Sequence, residues 1–111
     1  MKKINIPIYN KSFFITTDEV EFNLFHLKYN GEMLDISTCD GVCADIGYGY
    51  YLIGIFRKEI SVLTHELTHL AIRCLNNGDN YDLRHNDEQL AYLIQYLTKV
   101  SLKALSINNK F

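Results

Sequence analysis

The sequence has no run of like charge, no long apolar segment and no paired-cysteine motif, and each absence removes a class of function. Its 111 residues carry 11 Lys/Arg against 13 Asp/Glu, a formal charge of −2. The longest basic run is Lys2-Lys3, so no nucleic-acid footprint is visible and nucleic acid is not an expected partner. The longest uncharged stretch, Ile46 to Phe56, falls far short of the ~20 residues of a membrane helix, so no membrane association is expected. Cys39, Cys43 and Cys74 are odd in number and lack a CxxC pair, which fits reduced thiols better than a disulfide framework. Cys39 and Cys43 have a permitted metal-ligand spacing but no second pair to complete a site. The one proline, Pro7, together with Asn5 and Asn10, interrupts the N-terminal segment, which therefore does not read as a signal peptide. There is no internal repeat or linker. With 48% hydrophobic residues, the chain can bury one core, and residues 1–111 read as a single domain.

Against that background His65-Glu66-Leu67-Thr68-His69 stands out. On a helix, at about 100° per residue, His65 and His69 lie one turn apart on one stripe with Glu66 beside them. Two neutral imidazoles at i and i+4 form half a shell for Zn²⁺, and the adjacent carboxylate can take a proton from a water polarised by the ion. No Pro or Gly interrupts residues 59–75, and Asn76-Asn77-Gly78 supplies a stop. Leu63, Leu67, Leu70 and Cys74 line the opposite side, as expected of a helix packed on a core with its histidines facing a cleft.

Two ligands do not hold a zinc ion. A metzincin would carry Gly and His where this chain has Ile72 and Leu75, so that arrangement is excluded. The remaining candidates, His85, Asp87 and Glu88, follow the polar stretch Asn76 to Asn86 and open a second helical run through Leu90, Leu93, Ile94, Leu97 and Val100. Ala91, three residues after Glu88, is small enough to let the two helices approach closely. An acidic first turn by itself needs no more than the helix dipole to explain it.

HELTH, a modest loop and Glu88-Gln-Leu-Ala-Tyr-Leu93, preceded by the apolar run Tyr51 to Phe56, resemble the small phage- and prophage-encoded zincin-like proteins. The resemblance covers the C-terminal half, and the N-terminal half matches in outline. It implies His65 and His69 as metal ligands, Glu66 as catalytic carboxylate and Glu88 as a third ligand of gluzincin type. The implied activity is that of a zinc metallopeptidase with a peptide or protein substrate. The implied setting is the cytoplasm of a bacterial host, with possible association to the virion. The alternative is a zinc-stabilised phage structural protein, or one that binds a host protein, without turnover.

Peptide hydrolysis also calls for a donor to the oxyanion. His85, Tyr92, Tyr48, Tyr50 and Tyr51 are candidates, although an aromatic four residues after Glu88 is more often a packing residue. Arg73, one turn beyond His69, is placed to bind a substrate carboxylate or to pair with Glu88; a solvated arginine is the simpler expectation.

The periodicities predict strands over Ile4 to Tyr9 and Ser12 to Thr16, then a helix capped by Thr16 or Thr17, with Val20, Leu24 and Leu27 among its apolar residues and Asn30-Gly31 at its end. A hairpin follows, Cys43 to Ile46 and Tyr50 to Phe56 through Gly47-Tyr48-Gly49, its second strand apolar enough for burial on both faces. Helices over Glu59 to Asn76 and Asp87 to Ser106 complete an α+β fold. The expected form is a minimal zincin-like domain, in which a small β-sheet packs against the HExxH helix and a second C-terminal helix.

Overall fold

The computed structural model describes residues 1–76, 83–107 and 111, without the side chains of 83–86 and 107. The chain folds as α+β, with strands β1 (Ile4–Ile6), β2 (Lys11–Thr16), β3 (Gly41–Gly47) and β4 (Tyr50–Ile55) and helices α1 (Glu19–Asn30), α2 (Ile60–Leu75) and α3 (Leu83–Ile107). The strands form one mixed sheet in the order β1-β2-β4-β3. β1 and β2 pair antiparallel, as do β3 and β4, while the central β2 and β4 run parallel with Ser12 opposite Tyr50 and Thr16 opposite Gly54.

Alternation along β2 and β4 divides the core in two. Phe13, Ile15, Tyr51, Ile53 and Ile55 face α2 and α3, where they meet Leu63, Leu67, Leu70, Cys74, Leu93 and Leu97. Phe14 and Leu52 face the other way, onto Phe22 of α1, Ile36 and Ile46. Leu52, Ile53 and Ile55 have no exposed surface, so β4 is covered on both faces as its apolar run predicts. The sheet therefore lies between α1 on one side and the α2–α3 pair on the other, and β1 and β3 are its edge strands, with β3 the free edge on the α2 side. No described helix is long and apolar enough to cross a membrane.

Several boundaries differ from the sequence expectations, each for a local reason. The first strand ends at Ile6, because Pro7 opens a turn that runs to Asn10. The cap of α1 is Asp18: its carboxylate accepts from the N–H groups of Val20 and Glu21 at 2.8 and 3.1 Å. Thr16 is instead buried in β2, with its hydroxyl accepting from the N–H of Asp18. Gly31 closes α1 as expected, at φ 76 with its N–H on Leu27 O.

The stripe Val20, Leu24 and Leu27 lies on the outer surface of α1, 68%, 56% and 41% exposed. The buried positions are Phe22 and His26, because α1 docks through its aromatic side. α2 matches its expected span. α3 starts at Leu83, one turn before Asp87; Leu83 to Asn86 contain no helix breaker, and acidic residues are tolerated in a second turn as well as a first.

Candidate metal centre

α2 presents its core face through Leu63, Leu67, Leu70, Ala71 and Cys74, all fully buried, and so turns His65 and His69 outward. The two Nε2 atoms lie 3.2 Å apart, with the rings nearly perpendicular at 79°. In a tetrahedral zinc site, with Zn–N of about 2.0–2.1 Å, two imidazole nitrogens sit about 3.3 Å apart. The pair thus has the separation of one edge of a zinc coordination sphere. Potential ligand atoms of His65, Glu66 and His69 all lie within 4.8 Å of one another, and the donor set suits zinc.

Glu66 is held differently from its neighbours. Its side chain is only 7% exposed, and its stem runs over the start of the free edge strand. A Cβ at Gly41 would stand 2.9 Å from Glu66 Cγ, from Gly54 O and from Val62 Cγ1, so the close approach of α2 to β3 depends on glycine there. Gly41 was not singled out in the sequence, where an isolated glycine opening an apolar run was its only signal. Asp40, Gly41, Ser61, Val62, His65 and Glu66 line an open cleft of about 340 Å³ on this side.

Burial raises the Glu66 carboxyl above its ordinary 4.5, and the imidazoles of His65 and His69, then Arg73, pull it part of the way back. In the metal-free protein the folded pKa therefore lies above the unfolded one. The fold prefers the neutral carboxyl; this contribution is complete below about pH 4.5 and is lost as pH rises through the folded value. The metal-free Glu66→Gln protein is accordingly expected to melt above wild type at neutral pH, with the gap closing as the pH is lowered. Parallel thermal melts in chelator across pH 4–8 check this, and equal melting temperatures throughout would remove desolvation of Glu66 as a feature of the site.

The other candidates are placed apart. Glu88 is exposed on α3, nearly opposite the stripe of Leu90, Leu93 and Leu97 at about 100° per residue, and the structure does not bring it to the histidine pair. Ala91 is likewise exposed, so close helix packing rests on Leu93 and Leu97 instead. Asp87 accepts from the N–H of Glu88 at 2.9 Å. The side chain of His85 lies outside the described residues. Tyr92 is 68% exposed on the outer side of α3. Tyr48 and Tyr50 belong to the turn end of the β3–β4 hairpin, and Tyr51 is buried under α2 with its phenol raised, first by burial and then by Asp45.

Arg73 does not pair with Glu88. Its Nη1 donates to Cys43 O at 3.0 Å, tying α2 to the free edge, and no carboxylate lies within ion-pair distance of it among the described residues. Cys39 packs on the α1 side of the sheet and Cys43 on the α2 side, which removes them as a joint metal pair. Burial pushes the Cys43 thiol up to about 12, and all three cysteines are free. His26 is satisfied within the fold: Nδ1 donates to Glu32 O at 2.7 Å and Nε2 accepts from Asn30 Nδ2 at 3.1 Å. Compared with protein-family models, with curated proteins and with solved structures, the chain matches none.

Proposed function

We propose that this chain is a zinc-dependent hydrolase acting on peptide bonds. The observation that carries the reading is the histidine pair, with Nε2 atoms 3.2 Å apart, set beside a carboxylate that is buried yet turned to the same point. His65 and His69 would supply two of the ligands to the ion. Zinc bound there supplies a Lewis acid for the scissile carbonyl and acidifies water. Glu66, its basicity raised by burial, removes a proton from the attacking water and later delivers it to the leaving amine. The open cleft along Gly41 and Ser61 leaves room for substrate next to that carboxylate. The setting that goes with this reading is the cytoplasm of a bacterial host, with a phage or host protein as substrate.

The gluzincin-type arrangement adds Glu88 as third ligand. Since Glu88 is exposed, outside the converging group and nearly opposite Leu93 and Leu97, its coordination would require the start of α3 to move and to turn from the packing that those leucines fix. Glu88→Ala is then expected to weaken zinc binding at least ~100-fold, more than loss of an outer-shell partner, while Asp87→Ala and His85→Ala leave it near wild type. Competition titrations against a zinc-binding dye measure this. Unchanged affinity in Glu88→Ala would pass the role to another donor.

The function itself is tested with unfolded casein and a mixed peptide library, which together sample many cleavage sequences. Cleavage that stops with chelator and returns with zinc is expected. Absence of any cleavage by zinc-loaded protein on both would count against the hydrolase.

A further inference from the structure

The end of the sheet that carries its two hairpin turns has a different character from the histidine face. Because β2 and β4 are parallel, the Pro7–Asn10 turn and the Gly47–Gly49 turn emerge side by side. The N–H of Ser12 donates to Gly49 O at 3.0 Å, and a Cβ at Gly49 would lie 3.3 Å from Asn10 O, so the turns are locked together.

Each turn lifts one large apolar side chain into solvent. Ile8 is 96% exposed and Tyr48 98% exposed. Both sit at positive φ, 74 for Ile8 and 58 for Tyr48. For Tyr48 this is the conformation that a two-residue hairpin turn demands, with Gly49 following at φ 78. For Ile8 it is costly, since a β-branched residue in the left-handed region is a steric outlier, and here it gains no burial in return. Glycine or asparagine would serve the turn better. A strained residue that buries almost none of its side chain in its own chain points to a contact outside it.

Between the two prongs lies a concavity of about 520 Å³. Lys3 and Lys11 line it, Asn5, Asn10 and Ser12 add neutral polar groups, and among the described residues no Asp or Glu does so. In a chain of net charge −2, this places local positive charge between two apolar prongs. Lys3 is steadied there, its Nζ 5.6 Å from the centre of the Tyr50 ring.

We propose that this turn platform is a docking site for an acidic segment of a partner protein, with aliphatic or aromatic residues flanking its carboxylates. Lys3 and Lys11 meet the carboxylates, and Ile8 and Tyr48 are covered by the flanking apolar side chains, which is how anchors at the centre of an interface act. Ile8 and Tyr48 line the concavity yet are almost fully exposed, so a small anionic ligand seated between the lysines would leave most of their apolar surface uncovered. A lipid surface is disfavoured by charge: two lysines line the site, whereas anionic membranes are met by clusters of four or more. The proposal is independent of the zinc site, which lies on α2.

The test uses the full chain. A displayed library of random heptapeptides is selected on wild type, and individual enriched peptides are then synthesised and titrated by fluorescence anisotropy. Enriched peptides are expected to combine Asp or Glu with apolar residues. They are expected to bind Ile8→Gly/Tyr48→Gly and Lys3→Glu/Lys11→Glu proteins at least ~10-fold more weakly. Glycine accepts both positive φ values, so the first double variant is expected to melt close to wild type, which separates lost binding from lost folding. No enrichment over selection on the glycine double variant, or peptides that bind both proteins equally, overturns the proposal. Capture by phosphatidylserine vesicles without peptide enrichment also overturns it, in favour of a membrane surface.

Discussion

Glu66→Gln protein is expected to keep its zinc and lose at least ~100-fold in peptide turnover. Glutamine preserves the volume of the side chain that lies against Gly41 and Val62, so the helix keeps its seat on the edge strand. What it removes is the proton acceptor, and general-base catalysis contributes about 10²–10⁴-fold. Because a neutral side chain replaces one that burial already holds towards neutrality, loss of activity cannot be ascribed to a weakened fold. The measurement is paired: zinc content by mass spectrometry and cleavage rate on the same preparation. Wild type and variant that are equally inactive, while both retain zinc and both capture the same phage or host protein, would assign the metal a structural role.

On the proposed reading, His65→Ala or His69→Ala is expected to take bound zinc from about one ion per chain to none, since either change removes one of the two nitrogens whose 3.2 Å separation fits an edge of a zinc coordination sphere. Both side chains are exposed, so the metal-free variants are expected to fold as wild type does without metal. Zinc analysis after dialysis against metal-replete buffer, with a melting curve in chelator beside it, reads both quantities. Full zinc occupancy in His65→Ala would place the ion elsewhere, and the histidine pair would then be a hydrogen-bonded surface feature.

The legible parts of this chain were those in which one local pattern has one physical outcome. The burial of Leu63, Leu67, Leu70 and Cys74, and with it the outward display of His65 and His69, follows from a period of 3.6 on an uninterrupted helix. Gly31 at the end of α1 and the Gly47-Tyr48-Gly49 turn follow from the same kind of local chemistry. What pattern alone did not settle was choice between faces.

α1 carries apolar residues on two opposite faces, so its sequence does not say whether Val20, Leu24 and Leu27 or Phe22 and Phe25 meet the sheet, and the larger aromatic surface won. The same limit applies to Glu88. Placement of an acidic residue near the start of α3 says nothing about rotation of the helix, which Leu93 and Leu97 fix from the other side. The neighbourhood of Glu66 was not legible because it depends on Gly41 across the sheet edge, a tertiary contact with no trace in local spacing.

The parallel pairing of β2 with β4 has a kinetic consequence. β1 with β2, and β3 with β4, each close a short loop through a turn of a few residues, which is entropically inexpensive and fast. Joining β2 to β4 closes a loop that contains all of α1 and the connection up to β3, so the two hairpins must find each other across the longest gap in the sheet. α2 leaves directly from β4 and leans on β3, so His65, Glu66 and His69 ride on one of the two hairpins that form locally. Each hairpin can therefore close by itself, and the sheet is complete only when the two meet along β2 and β4.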